Sequence, residues 1–170
     1  TTGIVQNSST DFSVGTTAAG APAPATYLFC PADGTISGWS PAVNPNAAIL
    51  VVDNSAKAVY KGCTSGDVAG ARFLYVANFR SGRVEMYDAH FQPVHLSEEV
   101  FDDDSLPRGF APFNVQNIGG SLFVTYAKQD EAKHDDIAGD GLGYVDIYST
   151  TGRLQARLQH GVWFNAPWGV

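Results

Sequence analysis

The sequence predicts an all-β fold, a β-propeller of about three four-stranded blades belonging to a six-bladed ring, and three observations predict it. From Phe113 to His160 the segments FNVQNIGG, SLFVTYAK, GYVDIYST and RLQARLQH alternate β-branched or aromatic residues with polar ones. Gly or Thr-Gly marks the joins, the pattern of strands linked by turns. A Gly followed two residues later by a β-branched apolar residue and five later by an aromatic recurs at Gly34, Ile36 and Trp39, at Gly82, Val84 and Tyr87, and at Gly143, Val145 and Tyr148. Finally, YLFC from Tyr27, FLYVAN from Phe73 and LFVTYA from Leu122 start 46 and then 49 residues apart, the length a four-stranded blade requires.

The first blade spans residues 1–54. Its inner strand is Thr2 to Gln6, and its other strands are Thr26 to Cys30, Thr35 to Ser40 and Ala48 to Asp53. Between them Ser13 to Ala25, rich in Gly, Ala, Pro and Thr without apolar periodicity, reads as a surface loop or flexible excursion. The second blade, residues 58–97, takes Ala58 to Cys63, Arg72 to Asn78, Arg83 to Asp88 and Pro93 to Leu96, with Asp67 to Ala71 as the loop joining its first two strands. An acidic connector, SEEVFDDDSLPRGFAP, leads to the third blade at 111–160, and Asp102, Asp103 and Asp104 within it read as a solvated turn, with a cation site as the alternative. Residues 161–170 read as the start of a further blade.

Three blades in an arc leave unpaired edges and uncovered faces. The expected partners are therefore the remaining blades of the same protein, or a second copy closing the ring by twofold symmetry.

Ten basic and seventeen acidic side chains give a net charge of −7, and no basic stripe offsets it, which argues against nucleic acid or an anionic membrane as partner. The longest apolar run, Ala47 to Val52, is far too short to cross a bilayer. Cys30 and Cys63 fall in successive repeats and form either one disulfide or two buried thiols. Asn7-Ser8-Ser9 is a glycosylation sequon, meaningful only in a secreted eukaryotic chain.

Several stretches together resemble a family of secreted β-propeller proteins related to NHL and YVTN-type propellers. They are GTISGWSPAV at Gly34, VVDNSAKAVYKG at Val51, LYVANFRSGRVEMYDAHFQPV at Leu74, GFAPFNVQNIGGSLFVTYAKQDEAKHDDIAGDGLGYVDIYSTTGRL at Gly109 and NAPWGV at Asn165. The resemblance covers nearly the whole chain. It implies a propeller, a secreted or extracellular location and a protein about twice as long, of which this chain is a central half. It implies no reaction, and it places no cysteine at Cys30 or Cys63.

Two constellations carry possible chemistry. In the expanded loop from Lys128 to Gly143 stand Lys128, Gln129, Asp130, Glu131, Lys133, His134, Asp135, Asp136 and Asp140. Carboxylates with Gly-rich backbone wrap Ca²⁺, and a His beside a carboxylate serves as an oriented base. The plainer alternative is that Asp135 and Asp136 bond backbone N–H groups to brace the loop. The second constellation is Asn78, Asn114, Gln116, Asn117 and Asn165 near inner strand positions, where amides either line a channel as Ca²⁺ ligands or satisfy turns. Trp163 and Trp168 depart from the repeated aromatic positions and are candidates for a binding surface.

Nucleophile-elbow, phosphate-loop and zinc patterns are missing from the sequence. The expected function is thus a binding or scaffold module for a glycan or protein ligand, with Ca²⁺ as a structural cation. The alternative is a Ca²⁺-dependent hydrolase or lyase acting at the channel mouth.

Overall fold

A computed structural model describes residues 2–170. The protein is all-β: the described residues form fourteen strands in four antiparallel sheets, and no helix. The first sheet is ordered β1 (Gly3–Gln6), β4 (Tyr27–Cys30), β5 (Thr35–Trp39), β6 (Ile49–Asp53). The next is β7 (Tyr60–Val68), β8 (Ala71–Asn78), β9 (Arg83–Tyr87). A further one is β10 (Phe110–Ile118), β11 (Ser121–Gln129), β13 (Gly143–Ser149), β14 (Leu154–Arg157), with the short β12 (Asp136–Ile137) on the end of β11.

The strands of the first sheet and of the β10 sheet fall where alternation places them. Four expectations need correction. Residues 13–25 are a hairpin of β2 (Ser13–Thr16) and β3 (Pro22–Pro24), anchored because Phe12, Val14, Ala23 and Ala25 are buried and the Phe12 ring packs at a tilt on Phe91, centroids 5.5 Å apart. Short apolar anchors among Gly and Pro leave no readable period.

The β7 sheet has three strands, not four. Pro93 makes only an isolated bridge to Tyr87, since proline offers no N–H to a ladder, and Val94 N then donates to Met86 O at 2.8 Å. The expected Asp67 to Ala71 loop is mostly strand: β7 and β8 pair to Val68 and Ala71 across a two-residue turn with Ala69 and Gly70 both left-handed. Residues 161–170, expected to open another strand, form none. Asn165 makes a lone parallel bridge to Leu142, and Trp168 leans on Phe113 with ring centroids 5.0 Å apart.

The sheets pack on one another in chain order. One apolar core joins the first two (Val5, Leu28, Ile36, Tyr60, Leu74, Tyr87), and a second joins the β7 and β10 sheets (Tyr75, Met86, Phe101, Val115, Leu122, Tyr148). First strands are neighbours throughout. A Cβ on Gly3 of β1 would stand 2.9 Å from the Cys63 N and Lys61 O of β7, and one on Gly62 would collide with Asn114 of β10. Asn117 Nδ2 completes that seam by donating to Ser65 O at 2.9 Å.

Candidate functional site

In both β7 and β10 an extra residue interrupts the ladder near the start of the strand. On β7 the register shifts between Tyr60 and Cys63, and on β10 between Pro112 and Asn114. A bulge re-aims the side chains it carries. Here those are Lys61 and Phe113, which face one open groove of about 420 Å³ completed by Thr2, Asp136 and Trp168.

Lys61 is 6% exposed, unusual for a lysine. Its Nζ lies 5.4 Å from the centroid of Phe79 and 6.0 Å from that of Phe113, both within cation–π range. Its carboxylate partner is Asp135, with Oδ1 at 3.4 Å, and Asp135 Oδ2 sits 3.0 Å from His134 Nδ1. The His134 hydrogen bond, then the neighbouring positive charges of His134 and Lys61, hold the Asp135 carboxyl below the usual carboxylate range. Asp135 is itself 68% exposed on its loop, so a buried cation is matched by a carboxylate that solvent or a ligand can reach.

The loop is held by its own residues. Asp130 Oδ1 accepts from His134 N at 2.8 Å and Asp135 N at 3.3 Å, Asp130 N donates to Asp135 O at 2.9 Å, and Lys133 turns the chain with φ 53°. Gln129 Nε2 donates to Phe79 O and ties the loop base to the wall of the groove.

Of the residues singled out from sequence, Asp136 and Trp168 line the groove, Asp135 joins it through its pair with Lys61, and His134 through Asp135. Asn114 and Gln116 line a smaller adjoining cleft of about 230 Å³ with Trp168 and Cys63. Others lie elsewhere. Lys128 Nζ donates to Arg108 O at 3.1 Å over the Phe110 ring, Asp140 is exposed, and Trp163, 64% exposed, packs on Phe164.

The amides do not converge. Asn78 Oδ1 accepts from Val59 N and Ser81 N, Asn114 Oδ1 from Val115 N, Asn117 Oδ1 from Gly120 N and Asn165 Oδ1 from Gly139 N. These amide oxygens and Asp130 Oδ1 are spent on backbone N–H groups, whereas a Ca²⁺ ion needs six to eight oxygens. Among the described residues no group of three or more His, Cys, Asp or Glu is placed to hold a metal ion. Asn7 is buried and its Nδ2 donates to Ala25 O at 2.9 Å, so in the folded chain the sequon amide faces inward.

Lys61, Phe79 and Phe113 were not singled out from sequence. A lysine in the otherwise apolar run AVYKGC was the available signal.

No family model matches the chain. Relatives are found in a giant virus. The chain is 35% identical over 152 residues to uncharacterized protein R640 of Acanthamoeba polyphaga mimivirus, covering 87% of this chain and 28% of that protein. It is 29% identical over 151 residues to uncharacterized protein R648 of the same virus, covering 85% of this chain and 36% of the relative. The chain thus spans about a third of the length of these relatives.

Proposed function

We propose that the chain is an arc of a β-propeller and a non-catalytic binding module that takes a glycan in the groove at Lys61. The observation that carries the reading is the Lys61–Asp135 pair: a cation buried against two phenylalanine rings, answered by one exposed carboxylate, beside the accessible face of Trp168. Sugar hydroxyls suit such a place, because one ring can accept from an ammonium, donate to a carboxylate and lay its C–H face on an aromatic side chain. Among the described residues lining the groove, the hydroxyl of Thr2 donates to the carbonyls of Cys30 and Tyr60, and no hydroxyl or thiol is aligned with a base. A Ca²⁺-dependent hydrolase or lyase at the same mouth is the reading this donor set supports less.

The propeller reading is supported by the chain-order packing of the sheets, by first strands lying side by side, and by bulges at matching places in β7 and β10. Ile4 on β1 is 58% exposed, an apolar position that a preceding blade would cover. On this reading the ring is completed by further blades of the same polypeptide, with a second copy as the alternative. The resemblance to secreted NHL- and YVTN-type propellers supports an extracellular location. The test is a glycan array followed by calorimetry: wild type binds, and Asp135→Ala and Trp168→Ala lose affinity at unchanged melting temperature. Equal affinity in both variants would remove the groove from the account.

A further inference from the structure

Cys30 ends β4 and Cys63 lies in β7, so the two thiols belong to different sheets. What brings them together is a residue without a side chain. Gly3 of β1 is the register partner of Cys30, so the two share one face of the first sheet. Cys63 occupies the space a side chain at Gly3 would fill: a Cβ there would stand 2.7 Å from Cys63 Sγ. The thiol of Cys63 therefore lies over Gly3, the register partner of Cys30, and both thiols are buried in the same apolar core. They are unbridged in the structure.

We infer that Cys30 and Cys63 are a disulfide-forming pair that staples the first sheet to the β7 sheet, with Cys63 as the attacking thiol and Cys30 as the resolving one. The order follows from access. Cys63 lines the small cleft shared with Thr2, Ile4 and Trp168, whereas Cys30 is fully enclosed. Burial also pushes the Cys30 thiol up, which leaves it a scarce thiolate and a poor first attacker.

The oxidant is a small-molecule disulfide. The Cys63 thiolate attacks one of its sulfurs, breaking that S–S bond and releasing one thiol, to give a mixed disulfide on Cys63. Cys30 then gives up its proton and attacks Cys63 Sγ, expelling the second small thiol. Two protein thiols are oxidised, one external disulfide is reduced to two thiols, and the protein loses two hydrogens. The bond closes a loop of about thirty residues and joins two elements otherwise held by packing and a few hydrogen bonds.

The test is to incubate the purified chain with glutathione disulfide, denature it, alkylate, and read intact mass. Wild type should end two hydrogens lighter with no alkylatable thiol, and its Tm should rise by roughly 10 °C over the reduced form. Cys30→Ala should stop at one glutathione on Cys63, while Cys63→Ala stays unmodified under the same conditions. Wild type that keeps two alkylatable thiols, or carries two glutathiones, would overturn the inference. Equal modification of both variants would overturn the assigned order. Because the wild-type measurement needs no substitution, a variant that fails to fold does not remove the test.

Discussion

Arg157 grips Asp146 through two parallel hydrogen bonds, Nε to Oδ1 at 2.7 Å and Nη2 to Oδ2 at 3.0 Å, and the same guanidinium reaches Asp103 Oδ2 at 2.6 Å. Asp146 is fully buried on β13, and Asp103 comes from the acidic connector that reads from sequence as a solvated turn. The connector is thereby fastened to the edge of the β10 sheet. The Asp103 side chain is only 7% exposed, so the solvated-turn reading fails at that residue. Arg157→Met leaves two carboxylates without their cation, and the expected cost is roughly 3–5 kcal/mol, to be read from the urea midpoint.

That cost depends on pH in a definite direction. Burial raises the Asp146 carboxyl above the usual carboxylate range, and the bonds and charge of Arg157 partly offset the rise. Because the folded group holds its proton to higher pH than the unfolded one, this residue's contribution to stability falls as pH rises through that interval and is most favourable below it. Removing Arg157 lifts the folded value further. The penalty of Arg157→Met should therefore be largest at neutral pH and shrink in acid, and a penalty that grows in acid would contradict this assignment.

Asp135 behaves in the opposite sense. Its carboxyl is lowered, so its contribution is present above the usual carboxylate range and is lost as pH falls through its folded value. Since Asp135 is exposed, Asp135→Ala should change stability by less than about 1 kcal/mol, while ligand binding in the groove is lost. A large fall in melting temperature would mean that Asp135 chiefly braces its loop.

Gly62 is fixed by close approach. A Cβ there would meet the side chain and Cα of Asn114 on β10 well inside contact distance. Gly62→Ala should cost at least about 1–3 kcal/mol through overpacking, seen as a lowered melting temperature with retained β-sheet circular dichroism.

Calcium provides a further check. Asn78, Asn114, Asn117 and Asn165 spend their oxygens on backbone N–H groups. Adding excess Ca²⁺ or EDTA should therefore leave the melting temperature unchanged. A marked rise with Ca²⁺ would point to a cation site and restore weight to the hydrolase reading.

Strands of the first and β10 sheets were legible because side chains pointing to alternate faces impose a two-residue period, as in Leu122, Val124 and Tyr126. The hairpin at 13–25 was not, since its burial rests on single residues such as Phe12, whose left-handed φ of 59° no pattern announces. The fourth strand of the β7 sheet failed at Pro93 for want of a donor. Of the site, the loop carrying His134, Asp135 and Asp136 stood out by length and charge. Lys61 and Phe113 did not, because the bulges that turn them into the groove depend on register with neighbouring strands, which no single segment encodes.

The most direct measurement of the central claim is calorimetric titration of wild type and Lys61→Met with the strongest ligand from a glycan array. The account predicts measurable binding by wild type and at least about a tenfold loss in Lys61→Met, equivalent to about 1.4 kcal/mol, with the folded state intact by melting temperature. Undiminished affinity in Lys61→Met, or a wild type that retains no glycan, would contradict it.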